Sequence, residues 1–175
     1  APPLRRWWPW DQGEPRRYRL TVRLSDERGP CDEKEIVVGV RTVARERFST
    51  GQPWRFTVND RHVFLRGANW VPADVLPGTL VPDDYVKLIG MAADAGVNYL
   101  RVWGGGLREK AAFYDECDRR GILVSQEFPL ACTFLDHYPR DAEYLALLEG
   151  EATGIVRCLR NHPSLLAWCG GNEIN

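Results

Sequence analysis

No stretch of about 18 consecutive apolar residues, the length a helix needs to cross a bilayer, occurs in this 175-residue sequence. No signal-peptide pattern opens it, and its abrupt first residues are not read as a native N-terminus. Histidine is scarce: His62, His137 and His162 are the three present, and their spacing fits neither a metal-ligand pair nor a catalytic triad. The five cysteines (Cys31, Cys117, Cys132, Cys158, Cys169) are odd in number, widely spaced and without a C-x-x-C pair. That argues against a zinc site or a disulfide framework. They read as reduced, mostly buried small hydrophobes, a slight argument for a reducing, cytoplasmic compartment. Excess charge of one sign is absent too: 23 basic residues face 24 acidic ones. Such balance exerts no global pull toward nucleic acid or an anionic membrane. One basic cluster, Arg5, Arg6, Arg16, Arg17 and Arg19, is interleaved with Trp7, Trp8, Trp10 and Tyr18. A single-stranded nucleic acid could stack on such a cluster, but a strand with solvent-facing arginines is the preferred reading.

What the sequence does contain is material for a core, with 44% hydrophobic and 27% charged residues. Over 18–24, Tyr18, Leu20, Val22 and Leu24 alternate with Arg17, Arg19, Thr21 and Arg23, which predicts a strand with one face buried. A polar turn over 25–29 leads to a second strand over 36–43. Both suit an antiparallel sandwich. A hairpin follows, with strands over 55–58 and 62–68 about an Asn59-Asp60 turn.

Beyond the hairpin, strand and helix alternate. Val63-Phe64-Leu65 runs toward Asn69-Trp70, and a helix is predicted over 83–95, with Pro82 at its start and Gly96 as its stop. Then come a strand over 98–103, a helix over 110–120 closed by Gly121, a strand over 122–126, a helix over 141–160 and a strand over 165–169. Alternation of this kind specifies a parallel α/β architecture. An open nucleotide-binding sheet would place a glycine fingerprint after its first strand, where this sequence has Trp70, Pro72 and Asp74. A (β/α)8 barrel needs about 250 residues, so the material after the β-segment amounts to half of one. The expected division is therefore 1–52, the end of a β-sandwich, and 53–175, the first half of a barrel.

Barrel active sites form at the C-terminal ends of the strands. Those ends carry Asn69, Trp70 and Asp74, then Arg101 and Trp103, then Gln126 and Glu127, then Asn172 and Glu173. Indoles among amides and carboxylates suit a sugar, whose ring face stacks while its hydroxyls take polar partners. Each residue also has a plainer reading. Glu173 could be a solvated loop residue, Trp103 a core residue, and Arg101 the partner of a buried acid. Glu127 reads as structural support, and Gly104-Gly105-Gly106 as a tight backbone turn.

Several segments together resemble family 2 glycoside hydrolases of the β-mannosidase type. They are Val58-Asn59, Phe64-Leu65-Arg66-Gly67-Ala68-Asn69-Trp70-Val71-Pro72-Ala73-Asp74, Leu100-Arg101-Val102-Trp103-Gly104-Gly105-Gly106, Phe113-Tyr114-Asp115 with Cys117-Asp118, and Asn161-His162-Pro163-Ser164-Leu165 through Trp168-Cys169-Gly170-Gly171-Asn172-Glu173. Upstream, Trp7-Trp8-Pro9-Trp10 with Gly13-Glu14-Pro15, and then Val38 to Val43, resemble the immunoglobulin-like sandwich that precedes the barrel in that family.

The resemblance implies a retaining exo-β-glycosidase, most simply a β-mannosidase, with an oligosaccharide or β-glycoside substrate. It implies no metal and no organic cofactor, and no nucleic-acid or membrane partner. Glu173 would be the acid/base, Asn172 would bind the sugar 2-hydroxyl, Arg101 would hold the nucleophilic carboxylate and Trp103 would wall the sugar site. Asn69, Trp70 and Asp74 would line the mouth. The nucleophile is expected beyond Asn175, so the segment alone should be inactive, and its open barrel edges should favour self-association. A family 2 exo-β-glucosaminidase or β-galactosidase is the alternative within the class, and a non-catalytic carbohydrate-binding scaffold the alternative outside it. The sequence departs from the family pattern at Ser125, at Leu107-Arg108 and in a longer loop over 133–139. These positions bear on sugar preference.

Overall fold

A computed structural model describes residues 3–46, 54–133 and 137–174. The expected boundary between 52 and 53, and part of the expected loop lengthening over 133–139, lie outside the described residues. A hairpin comes first: β1 (Tyr18–Asp26) pairs antiparallel with β2 (Gly29–Val38). The predicted buried face is not formed, since Leu20, Val22 and Leu24 are exposed. A two-stranded ribbon has no layer of its own to cover an apolar face. The second strand also lies earlier than expected, ending at Val38. The segment after it docks against the end of the parallel sheet instead. There Val40 O accepts from Trp7 N–H at 2.8 Å, and the Arg41 guanidinium donates to the carbonyls of Pro163 and Leu165.

A second sheet contains β3 (Val43–Glu46), β4 (Arg55–Val58) and β5 (Arg61–Val63), all antiparallel. The β4–β5 hairpin turns at Asn59 and Asp60, which adopt φ values of 51° and 68°. Asn and Asp tolerate that left-handed region better than other side chains. The hairpin strand stops at Val63, well short of the expected residue 68. The buried Asn98 side chain intercepts the backbone here, accepting from Arg66 N–H at 2.7 Å and donating to Phe64 O at 2.9 Å. A fresh strand, β6 (Gly67–Trp70), begins beyond that bridge.

β6 opens the parallel sheet, continued by β7 (Tyr99–Val102), β8 (Leu123–Glu127) and β9 (Leu165–Cys169) in the spatial order β6-β7-β8-β9. Helices α1 (Pro82–Asp94), α2 (Ala111–Arg120) and α3 (Ala142–Leu159) make the crossovers. Their ends follow the sequence signals. Pro82 occupies the first turn of α1, and the Asp84 carboxylate accepts from Val81 N–H at 2.8 Å. Gly121, at φ 73°, closes α2, and Asp141 caps α3 by accepting from Tyr144 N–H at 2.9 Å.

Tyr85 and Ile89 of α1, Phe113, Tyr114 and Cys117 of α2, and Ile155 and Leu159 of α3 all pack with Leu100, Val102 and Val124 in one core. The three helices therefore cover the same face of a sheet whose strands run in sequential order. An open doubly wound sheet reverses its order and covers both faces. Sequential order under one helical layer is the winding of a TIM barrel. On the sheet's other face Trp7, Val58, Val63, Leu123 and Leu166 form a smaller core that ties the preceding segments to it. Of the five cysteines, Cys117 alone is fully buried and Cys31, Cys158 and Cys169 are exposed, against the expectation that most lie inside.

Candidate active site

Strand alternation decides which side chains meet at the open face. In the parallel register Asn69, Arg101, Ser125 and Ala167 lie abreast, on the face opposite the helices. Arg101 is the centre of the resulting cluster. Its Nε and Nη2 donate to Oε1 of Glu127 at 2.9 and 2.6 Å, Nη1 donates to Asn69 Oδ1 at 2.9 Å, and Nη2 also reaches Asn172 Oδ1 at 2.7 Å. Glu127 is 1% exposed, and its second oxygen accepts from Gly104 N–H at 2.8 Å. A buried carboxylate is stable only when its lone pairs are met in this way. The plainer reading of Arg101, as partner of a buried acid, thus describes a real contact.

The tight turn after β7 has a steric rather than a conformational reason. No residue from Gly104 to Gly106 has positive φ. A Cβ at Gly104 would stand 2.6 Å from Phe128 O, and one at Gly105 would stand 2.0 Å from the Trp103 ring. The missing side chains let β7 and β8 close up around Glu127 and let the half-buried indole of Trp103 lie over the turn. Trp103, Gly104, Gly106, Gln126 and Glu127 line one narrow pocket.

After β9 the backbone is fastened to the loop that follows β8. Asn172 N–H donates to Leu130 O at 2.8 Å, and Cys132 N–H donates to Asn172 O at 2.9 Å. Glu173 comes next with φ 50°, a region non-glycine residues seldom occupy, and its side chain is exposed.

The structure thus gathers Asn69, Arg101, Asn172 and Glu173 at one end of the sheet, with Glu127 beneath them. Asn69 and Arg101 also line an open depression of about 320 Å³. Asp74 stands farther along the rim, where it accepts from Leu76 N–H at 2.8 Å. It borders a second depression of about 400 Å³ with Pro72, Val75, Pro77, Gly105, Gly106 and Leu107. Trp70 is not brought to the mouth as expected. Alternation along β6 turns it toward the helices, where its ring meets Phe113 at 4.7 Å and its indole N–H donates to Glu109 at 2.9 Å. Tyr85 donates to the other Glu109 oxygen at 2.6 Å. Burial first, then the Glu109 carboxylate, raises the Tyr85 phenol well above its ordinary pKa.

At the opposite end of the sheet, His162 does more than leave a helix. Its Nδ1 lies 2.7 Å from Oδ2 of Asp118, whose Oδ1 accepts from Ser164 N–H at 2.9 Å. Glu109 and Cys132 carry no local sequence signal, and Asp118 and His162 lie in recognisable segments that say nothing of their pairing. Their partners lie tens of residues away, and only the fold brings them together.

Residues 52–175 match the family described as glycosyl hydrolases family 2, TIM barrel domain. The chain is 37% identical to β-mannosidase of Capra hircus over 171 residues, which are 95% of this chain and 19% of that protein. The crystal structure of the β-D-mannosidase of Dictyoglomus thermophilum superposes with a TM-score of 0.87 at 42% identity, over 95% of this chain and 20% of that one. The exo-chitosanase of Amycolatopsis orientalis superposes with a TM-score of 0.81 at 22% identity, over 93% of this chain and 19% of that one, a likeness of fold alone. The chain spans about a fifth of the length of these relatives. With a parallel sheet wound as a TIM barrel and the family match running from residue 52 to residue 175, the chain belongs to family 2 of the glycosyl hydrolases.

Proposed function

We propose that this segment supplies the acid/base half of the active site of a retaining exo-β-glycosidase, a β-mannosidase acting on terminal β-mannosides. On this reading residues 1–52 end an immunoglobulin-like sandwich and 53–175 form the first half of the catalytic barrel. The observation that carries it is the Arg101 cluster. A guanidinium fixed by Glu127, Asn69 and Asn172 stands at the C-terminal end of the sheet beside Asn172-Glu173. Identities of 37% and 42% to β-mannosidases favour mannose as the sugar.

In the first step Glu173 gives its proton to the glycosidic oxygen as the bond from that oxygen to the anomeric carbon breaks. A second carboxylate, from a part of the protein outside this segment, attacks the same carbon and forms a glycosyl ester. Water then displaces the ester while Glu173 takes the water's proton, and two inversions restore the starting configuration. Such chemistry sets the two carboxyl groups about 5–5.5 Å apart. Among the described residues Glu127, Asn69 and Asn172 account for four of the five Arg101 N–H groups, and the remaining hydrogen on Nη1 would hold the second carboxylate ionised. Asn172 accepts from Arg101 and keeps an amide hydrogen for the sugar 2-hydroxyl. Trp103 offers the ring wall. The outer strands β6 and β9 each have one paired edge among the described residues. The isolated segment would self-associate through the other edges and would not hydrolyse glycosides.

The test is to assay the full-length protein and its Glu173→Gln variant on p-nitrophenyl β-mannoside, β-galactoside, β-glucosaminide and β-glucuronide. Hydrolysis of the mannoside that collapses in the variant supports the assignment. Hydrolysis of the glucosaminide or galactoside instead keeps the mechanism and changes the sugar. A wild-type protein that binds mannosides and cleaves none of the four is a carbohydrate-binding scaffold.

A further inference from the structure

The loop after β8 does more than pass the site. Ala131 and Asn172 form a parallel bridge, flanked by the hydrogen bonds of Asn172 N–H to Leu130 O and of Cys132 N–H to Asn172 O. This fastening sets Cys132 Sγ 3.5 Å from Oε2 of Glu173, a residue 41 positions along the chain, and 3.6 Å from Nδ2 of Asn172. Cys132 and Glu173 both take left-handed backbone conformations, with φ 58° and 50°. Two non-glycine residues in that region, at the two ends of one side-chain contact, mark a geometry the surrounding structure enforces. Among the described residues no other hydrogen bond reaches the Glu173 carboxylate.

We infer that Cys132 is a positioning residue for Glu173. Its thiol hydrogen goes to Oε2 and its sulfur accepts from the Asn172 amide, so the two side chains that would meet the sugar are tied through one sulfur atom. Oε1 is thereby left facing the leaving oxygen. A thiol is both a weak donor and a weak acceptor. It can therefore serve the carboxylate when ionised and the carboxylic acid when protonated, without holding either state. This inference rests on the reading of Glu173 as the acid/base.

The experiment compares full-length wild type, Cys132→Ala, Cys132→Ser and Glu173→Gln on two substrates. One is a β-mannoside with a dinitrophenol leaving group, which departs with little help from an acid. The other is β-linked mannobiose, whose sugar alkoxide must be protonated; if the wild type prefers another sugar, the pair is built on that sugar. Loss of a hydrogen bond of ordinary net strength predicts that Cys132→Ala loses about fivefold more activity on the disaccharide than on the activated glycoside. Cys132→Ser should recover most of that difference, with thermal midpoints unchanged in both variants. Equal losses on the two substrates, no loss on either, or a serine variant as impaired as alanine would overturn the inference. The Glu173→Gln control separates the two levels. If it keeps wild-type activity on the disaccharide, the acid/base assignment fails and the positioning role with it. If it collapses while Cys132→Ala is unchanged, only the role of Cys132 fails.

Discussion

Arg101 and Glu127 meet at two points on one oxygen, Nε at 2.9 Å and Nη2 at 2.6 Å from Oε1, with the Glu127 side chain 1% and the Arg101 side chain 31% exposed. Burying a carboxylate costs several kcal/mol of lost hydration. Here that cost is offset by two charge-assisted bonds from Arg101 and a third from Gly104 N–H. The pair fixes the direction of an arginine that also touches Asn69 and Asn172, so it couples the interior of the sheet to the geometry of its mouth.

Removing Glu127 should therefore damage the site and the fold together. Glu127→Ala strands the Gly104 amide and frees Arg101, and is expected to destabilise the protein by about 2–4 kcal/mol. Denaturant midpoints of the full-length protein measure the stability loss. Glycoside turnover at a temperature where the variant remains folded measures the loss of arginine alignment. A variant as stable and as active as wild type would refute the coupling.

Two adjacent glycines should respond differently to one methyl group. At Gly104 the new Cβ meets Phe128 O and Leu130 O, backbone atoms that cannot step aside, so Gly104→Ala is expected to cost about 1–3 kcal/mol. At Gly105 it meets the Trp103 ring, a side chain that can rotate. Gly105→Ala should raise KM if the displaced Trp103 ring is the proposed sugar wall, while the thermal midpoint changes little. Matching midpoints for the two variants would count against this division.

Burial opposes charging of His162, but the hydrogen bond to Asp118 and the charges of Asp118 and Asp115 outweigh it and raise the pKa above 6.5. Tyr114 packs on the ring at 5.4 Å, and Arg41 approaches Asp118 from the segment after β2. The folded protein thus holds this proton more tightly than the unfolded chain. The resulting stability is complete below the unfolded value of 6.5 and fades as pH rises through the raised folded value. The stability difference between wild type and His162→Gln should accordingly be largest in mildly acidic buffer and shrink toward alkaline pH. Thermal melts across that range check the sign, and a difference that grows with pH would contradict it.

Glu109 accepts from Tyr85 and Trp70 within the layer between sheet and helices. Glu109→Ala leaves two donors unpaired there and is expected to cost about 2–4 kcal/mol. Glu109→Gln, which keeps an acceptor oxygen, should cost less than half of that. Equilibrium unfolding of the two variants tests the order.

Much of this protein could be read along the chain. The three helices and β9 arise where local signals agree: Pro82 and Gly96 bracket α1, Gly121 stops α2, Asp141 caps α3, and apolar spacing marks the core faces. The placement of Asn69, Arg101, Asn172 and Glu173 at one end of the sheet is equally legible, because strand ends in a parallel α/β chain share one edge. Periodicity, capping and strand direction are local properties, and the sequence determined them by itself. Tertiary structure decided the rest. It ended the β5 hairpin at Val63 through Asn98, turned Trp70 inward onto Glu109, paired Arg101 with Glu127, and laid Cys132 against Glu173. Each of these is a contact between residues far apart in sequence. Such contacts follow from how the strands register and close, so the packed sheet settles them and no window of sequence can.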